Sequence, residues 1–452
     1  MRRKMILAFA ALLLMTAGRA GNFTEAMKKA QCDSIVSACR HAWSSYMKHA
    51  AGYDEIRPLS LQGRNWYQAS MLMTPVDAFD SFILLGMKKE SLEAKQLIFS
   101  KLNFDQDMEV QFFEICIRHL GSLLSSYELD GDLRFLWLAQ DLGTRLLPVF
   151  SSPTGMPYRY VNLRTGKTRG EISNPAEIGS CLMEFGKLTE FTKDSTFYKK
   201  ARAAQHGLFL RRGKTGLVGT FIDVNTGKWT DPDSHIGACI DSYYEYLYKC
   251  WKLFGDKGCK AEWEAYLPAI RKYLPVKTGR GTFMTHVNMD DGKETRSLYG
   301  ALDAFIAGLM AYSGNRELAQ SLQEGNFILW QKGLTEPEEY DFRKDSITDP
   351  QYVLRPENIE SCFYLYRLTS DEKYLFMGKR MADDILRNCR APGGFAALKN
   401  AVTGEKKDNM ESFFFAETLK YAYLLFAPSA AFDLSASVFT TEAHPLKRTH
   451  RK

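Results

Sequence analysis

The sequence predicts an all-α fold, a closed (α/α)7 barrel with small β-hairpin inserts. Three observations predict it. Seven stretches share one design: an acidic residue near the start, an apolar-periodic helix, a Gly, Asp or Asn break, then a second helix. Their acids recur at an interval of roughly 40 to 60 residues, the length of a helical hairpin with its loops. Short Gly- and Asn-rich runs of β-prone residues separate some of them.

The acids are Asp77, Glu114, Glu177, Asp241, Asp303, Glu357 and Glu411. The sixth stretch is the clearest. Arg355-Pro356-Glu357 leads into a segment whose Ile359, Phe363, Leu365, Tyr366 and Leu368 can line one helix side, and Ser370-Asp371 breaks it. Pro356 suits a first helical turn, where its missing N–H costs nothing. Carboxylates there are favoured by the helix dipole, so capping explains any one of them. Their recurrence suggests more: in a closed ring they would gather at one mouth as an acidic pocket. An open helical array whose acids are only caps is the alternative. Inserts are expected at 153–169 and 213–231, with similar ones at 350–355 and 393–404.

The chain has 452 residues and a net charge of +6. There is no basic stripe with interleaved aromatics, which argues against nucleic acid. Residues 1–20 read as a signal peptide: Arg2, Arg3 and Lys4, an apolar run from Met5 to Met15, then Gly18-Arg19-Ala20. The expected product is one catalytic domain over 21–452, a monomer without a transmembrane span, secreted or periplasmic, or in the ER lumen of a eukaryote. Asn22-Phe23-Thr24 is a sequon usable only by a eukaryotic host. Nine scattered cysteines suggest no zinc site. Cys32 with Cys39, or Cys250 with Cys259, could pair in an oxidising compartment; buried free thiols are as good a reading.

Glu114 and Arg118 stand one turn apart among apolar neighbours, which suggests a buried pair with a tuned carboxyl pKa. Asp241, ahead of three tyrosines, could cap its helix or face a pocket. Near the end, Thr440-Thr441-Glu442-Ala443-His444 could insert into the barrel, with Thr441 offering two hard oxygens suited to Ca²⁺. His444 reads as structural.

FEICIRHLGSLLSSYELDGD, DSYYEYL, LRPENIES, MESFFFAETLKYAYLLF and VFTTEAHPL, in this order, resemble the motifs of the class I α-mannosidases, glycoside hydrolase family 47, from about Ala69 to Pro445. The resemblance implies an (α/α)7 barrel that removes terminal α-1,2-linked mannose from high-mannose oligosaccharides or glycoprotein glycans, with inversion and one Ca²⁺. It implies Glu114 and Asp241 as candidate general acids and Glu357 as the base. Arg118, Arg355, Glu360, Glu411 and Glu442 would hold the sugar or calcium-bound waters, and Thr441 the metal. Two positions depart from the ER processing enzymes. Cys239 stands where they carry an arginine that helps choose the glycan branch. Leu302-Asp303-Ala304 stands for their MDH, as in compact bacterial members and the ER degradation-enhancing mannosidase-like proteins. A mannose-binding quality-control lectin of the same fold, with little turnover, is the competing function, and a helical scaffold with acids as caps the third.

Overall fold

A computed structural model describes residues 23–449; the expected signal peptide and the sequon's Asn22 lie outside them. The helices pair in order of sequence. They are α1 (Glu25–His49), α2 (Met73–Leu84) with α3 (Lys88–Lys101), and α4 (Phe112–Ile115) running through a π-helical turn into α5 (Gly121–Asp130), followed by α6 (Leu133–Leu146). Then come α7 (Pro175–Gly179) and α8 (Leu182–Thr192) with α9 (Thr196–Phe209), and α10 (Asp241–Phe254) with α11 (Lys257–Tyr273). The last are α12 (Phe305–Tyr312) with α13 (Arg316–Trp330), α14 (Glu357–Thr369) with α15 (Lys373–Asn388), and a second π-helical turn, Phe414–Thr418, continuing into α16 (Leu419–Phe426).

The breaks fall where backbone chemistry puts them. Gly131 and Gly255, both at positive φ, end α5 and α10. Asp256 then caps α11 by accepting the Cys259 N–H at 2.9 Å. Ser370, in the left-handed conformation, ends α14 as the sequence suggested.

Neighbouring inner helices pack around a ring. α2 meets α5, α4 meets α7, α8 meets α10, α12 meets α14, and α14 meets α16. The Tyr248 hydroxyl donates to the Tyr312 carbonyl at 2.7 Å and ties α10 to α12. The turn at Phe414–Thr418 packs on α2 and closes the circle. Inner helices are apolar nearly all round: Phe305 to Ala311 in α12 are all buried, as a helix enclosed by others requires. The seventh unit differs from the expected hairpin. Among the described residues no outer helix follows α16; helix α1 packs against it instead.

Short antiparallel sheets cap the ring. The runs at 153–169 and 213–231 do form strands, joined by strands from elsewhere in the chain: Glu109–Gln111 pairs with Tyr160–Asn162, and Ile172–Ser173 with Phe221–Asp223. Leu398–Asn400 pairs with Glu405–Lys406. Residues 350–355 form no hairpin of their own; Tyr352 bridges Leu398, and Leu354 has φ +69°. The hairpin of Ser437–Phe439 with Pro445–Lys447 runs beside α10 and α5, and its turn is buried inside the ring. Segments near a chain end are usually frayed; this hairpin turn, with Thr440, Ala443 and His444 fully buried, is part of the core.

Candidate active site

A cavity of about 340 Å³ opens at one end of the ring. Glu114, Arg118, Asp241, Arg355, Glu357, Glu360, Thr441 and Glu442 all line it, eight of the nine residues expected in the site. The ninth, Glu411, does not. It is half-buried, accepts a hydrogen bond from Asn409 Nδ2 at 3.0 Å, and helps burial raise the pKa of Glu55 to about 8. Glu417, six residues on, lines the cavity in its place. Of the seven recurring acids, Glu114, Glu177, Asp241 and Glu357 reach the cavity wall. Asp77 is locked in an ion network, and Asp303 is buried, accepting the Gly300 N–H at 2.9 Å.

Both π-helical turns carry cavity residues. The first holds Arg118 and the second Glu417. A π-turn inserts a residue into a helix and re-aims the side chains around it, and such turns are frequent at functional sites. Arg118 Nε donates to Glu114 Oε2 at 2.9 Å, and Nη1 bonds Glu442 Oε1 and lies 3.5 Å from Asp77 Oδ2. The guanidinium also lies against Trp66, 5.0 Å from the ring centre. One cation thus serves three carboxylates.

Glu357 is the first residue of α14 and is half-buried in the cavity wall, with its Oε2 enclosed and without a hydrogen-bond partner among the described residues. Burial raises its pKa to about 8 despite Arg355, which is itself held by Glu338 at 3.0 Å. Asp241 opens α10 and accepts the Ser242 N–H at 2.8 Å; burial, with Glu245 and Asp303 nearby, raises its pKa to about 7. Glu360 rises to about 8 by burial, although Lys249 lies 4.0 Å away and the Tyr421 hydroxyl donates at 3.1 Å. Glu442 rises to about 8 by burial, and Glu417 rises well above the usual range through burial with Glu442, Glu357 and Glu360 around it. These are carboxyls whose burial outweighs the cations beside them, which raises their pKa values.

Several lining residues were not anticipated. Glu245 sits one helical turn after Asp241, a spacing that was there to be used. Gln111, Arg159 and Asn174 come from the sheet inserts and their edges. With Glu177 and Cys239 they form a second wall, where Arg159 pairs with Glu177 at 2.8 Å. Cys239, at φ +77°, takes the wall position expected of an arginine in the ER enzymes. Elsewhere, donor atoms of Asp233, His235 and His286 lie within 4.8 Å of one another. His286 Nδ1 is bonded to Asp233 at 2.7 Å, and the two imidazoles stack nearly parallel at 4.2 Å, so their lone pairs do not converge on one ion. Cys250 and Cys259 are buried thiols with sulfurs 3.3 Å apart.

Residues 38–448 match Glycosyl hydrolase family 47. The chain belongs to that family and is a glycoside hydrolase. It is 37% identical over 446 residues to the human endoplasmic reticulum mannosyl-oligosaccharide 1,2-alpha-mannosidase, covering 91% of this chain and 63% of the human one. It is 35% identical over 441 residues to the mouse ER degradation-enhancing alpha-mannosidase-like protein 2, covering 90% of this chain and 76% of that protein. Among solved structures, the alpha-1,2-mannosidase from Trichoderma reesei superposes with a TM-score of 0.85 at 26% identity, covering 93% of this chain and 99% of that one. The family 47 barrel is thus the (α/α)7 fold expected from the seven repeats. No helix among the described residues is long and apolar enough to cross a membrane.

Proposed function

We propose that this family 47 enzyme removes terminal α-1,2-linked mannose from high-mannose glycans, by inversion, with one Ca²⁺ bound at Thr441. The observation that carries the reaction is the distribution of carboxyls. Glu114, Asp241 and Glu357 line one cavity but come from the second, fourth and sixth units of the ring. Inversion needs an acid and a base far enough apart to admit a water, roughly 6.5–9.5 Å. Asp241 and Glu357, with pKa values of about 7 and 8, are poised to hold or take a proton near neutral pH. In this reading Glu114 or Asp241 supplies the leaving-group proton. Glu357, in the cavity wall, takes one from the attacking water. A cavity of about 340 Å³ is near the lower limit for ligand pockets, as suits a terminal sugar rather than a chain interior.

The residues fit calcium. The Thr441 hydroxyl and carbonyl make no protein hydrogen bond among the described residues, while its N–H is held by Tyr246. Glu245, Glu360, Glu417 and Glu442 line the same cavity and add hard carboxylate oxygens. A bound calcium would polarise sugar hydroxyls and stabilise developing charge. Residues 21–452 act here as one secreted or periplasmic monomer.

The test is hydrolysis of α-1,2-mannobiose with and without chelator, with NMR of the first product anomer. Calcium-dependent release of β-mannose is expected; initial α-mannose removes the inverting mechanism. Mannobiose binding without turnover would instead support the quality-control lectin.

A further inference from the structure

The turn that carries Thr441 is gripped from below by side chains that do not line the cavity. The Thr441 N–H donates to the Tyr246 hydroxyl at 3.2 Å, and that hydroxyl donates to Glu184 Oε1 at 2.7 Å. Two residues on, the Ala443 carbonyl accepts from Lys420 Nζ at 2.6 Å. Lys420 pairs with Asp80 Oδ1 at 2.7 Å, and Asp80 Oδ2 bonds His444 Nδ1 at 2.7 Å. Tyr246, Glu184, Lys420 and Asp80 are all fully buried. Behind His444 lies Gly121, where a Cβ would stand 3.0 Å from the imidazole, so the backbone of α5 is close enough to stop it moving back.

The turn does not choose this shape for itself. Ala443 has φ +55°, a left-handed conformation that alanine rarely adopts, and it persists only where the surroundings impose it. The constraints fall on the two atoms that fix a turn's orientation, the Thr441 N–H and the Ala443 carbonyl. The two Thr441 oxygens have no protein partners among the described residues.

We propose that Tyr246 and Lys420 are positioning residues for the metal, aiming the Thr441 oxygens into the cavity through its main chain. The inference rests on the calcium reading of Thr441. Tyr246 is the sharper handle, because Tyr246→Phe removes one hydroxyl and keeps the ring that packs the core.

The test is calcium titration calorimetry on chelator-treated protein, with circular dichroism to establish folding. Tyr246→Phe should lose roughly three- to tenfold in calcium affinity, the worth of one hydrogen bond. It should recover wild-type kcat once calcium is saturating. Glu184→Gln should bind like wild type, because Gln Oε1 still accepts the Tyr246 proton. Lys420→Met, if folded, should lose more than Tyr246→Phe. Wild-type calcium affinity in Tyr246→Phe, alongside a loss in Thr441→Ala, overturns the positioning role and leaves the calcium reading intact. A wild-type protein that binds no calcium removes the calcium reading and this inference with it.

Discussion

Asp77 and Asp80 are fully enclosed, while Glu360 is buried and Glu357 half-buried in the cavity wall, yet it is the deeper pair whose pKa values fall and the shallower pair whose values rise. Burial opposes charge at all four. At Asp77 it is overcome by His444 and Arg118, and at Asp80 by Lys420 and His444, so both aspartates fall below the ordinary range. His444, bridging the two, is held at a pKa of about 9; burial works against its charge, but Asp80 and Asp77 outweigh it. At Glu357 and Glu360 the nearest cations are already engaged, Arg355 by Glu338 and Lys249 by Glu245. Both glutamates rise to about 8. The difference is countercharge, not depth. A satisfied buried charge holds the fold together. An unsatisfied one is kept for protons, substrate or metal.

The largest expected effect separates the two groups through function. Glu357→Gln should keep the fold and lower single-turnover hydrolysis by about 10²–10⁴-fold, the usual worth of a general base. Mannobiose binding, measured by calorimetry, should persist. Near-normal hydrolysis would make Glu357 a helix cap and erase the contrast. Asp80→Asn should act first on stability. It leaves Lys420 buried without its partner, and breaking such a pair costs about 3–5 kcal/mol. Urea melts should show that loss in the absence of substrate; a change below about 1 kcal/mol would mean the network is ornamental.

Much of this contrast could be read before the structure. The helix pairs and their breaks follow from periodicity and turn chemistry, and eight of the nine expected cavity residues from the resemblance of the motifs to family 47. What could not be read was topological. The outer partner of α16 is helix α1, a pairing of residues almost four hundred apart in sequence that no local pattern signals. Glu411 is expected in the cavity as the seventh recurring acid and from the motif resemblance; Glu417, carried on the π-helical turn at Phe414–Thr418, has no such signal. The sheet inserts drew strands from distant segments, which hid Gln111 and Arg159 as wall residues.

The two groups should also separate by pH in chelated protein. Asp77 and Asp80 have depressed pKa values, so their contribution is present above the ordinary value of 3.8 and is lost as pH falls below it. Glu357 and Glu184 are raised from 4.5 to about 8, and Asp241 from 3.8 to about 7. Their contribution is complete below the unfolded values and lost as pH rises toward 8. The melting temperature should therefore peak near pH 4 to 5 and decline on both sides. Calcium should lift the upper limb by binding the native state. A chelated protein that gains stability from pH 5 to 8 would show that the cavity carboxyls are already ionised.

The smallest expected effect tests where the cavity ends. Glu411 and Glu417 stand in one motif, and only Glu417 lines the cavity. Glu417 is enclosed with Glu442, Glu357 and Glu360, so Glu417→Gln changes the charge that a sugar or cation meets and should cost well over tenfold in kcat/KM. Glu411 acts at a distance. It adds to the field at Arg118 and Arg355 and to the pKa rise of Glu55, while its own hydrogen bond goes to Asn409. Glu411→Gln keeps an acceptor for Asn409 and lets Glu55 ionise more easily. Its kcat/KM should stay within about threefold of wild type, since one exposed-side charge is worth no more than about 1 kcal/mol. Steady-state kinetics on both variants decide it. Equal losses would extend the site to Glu411 and place it with the cavity carboxyls; an intact Glu411→Gln beside a crippled Glu417→Gln puts the boundary at the second π-helical turn.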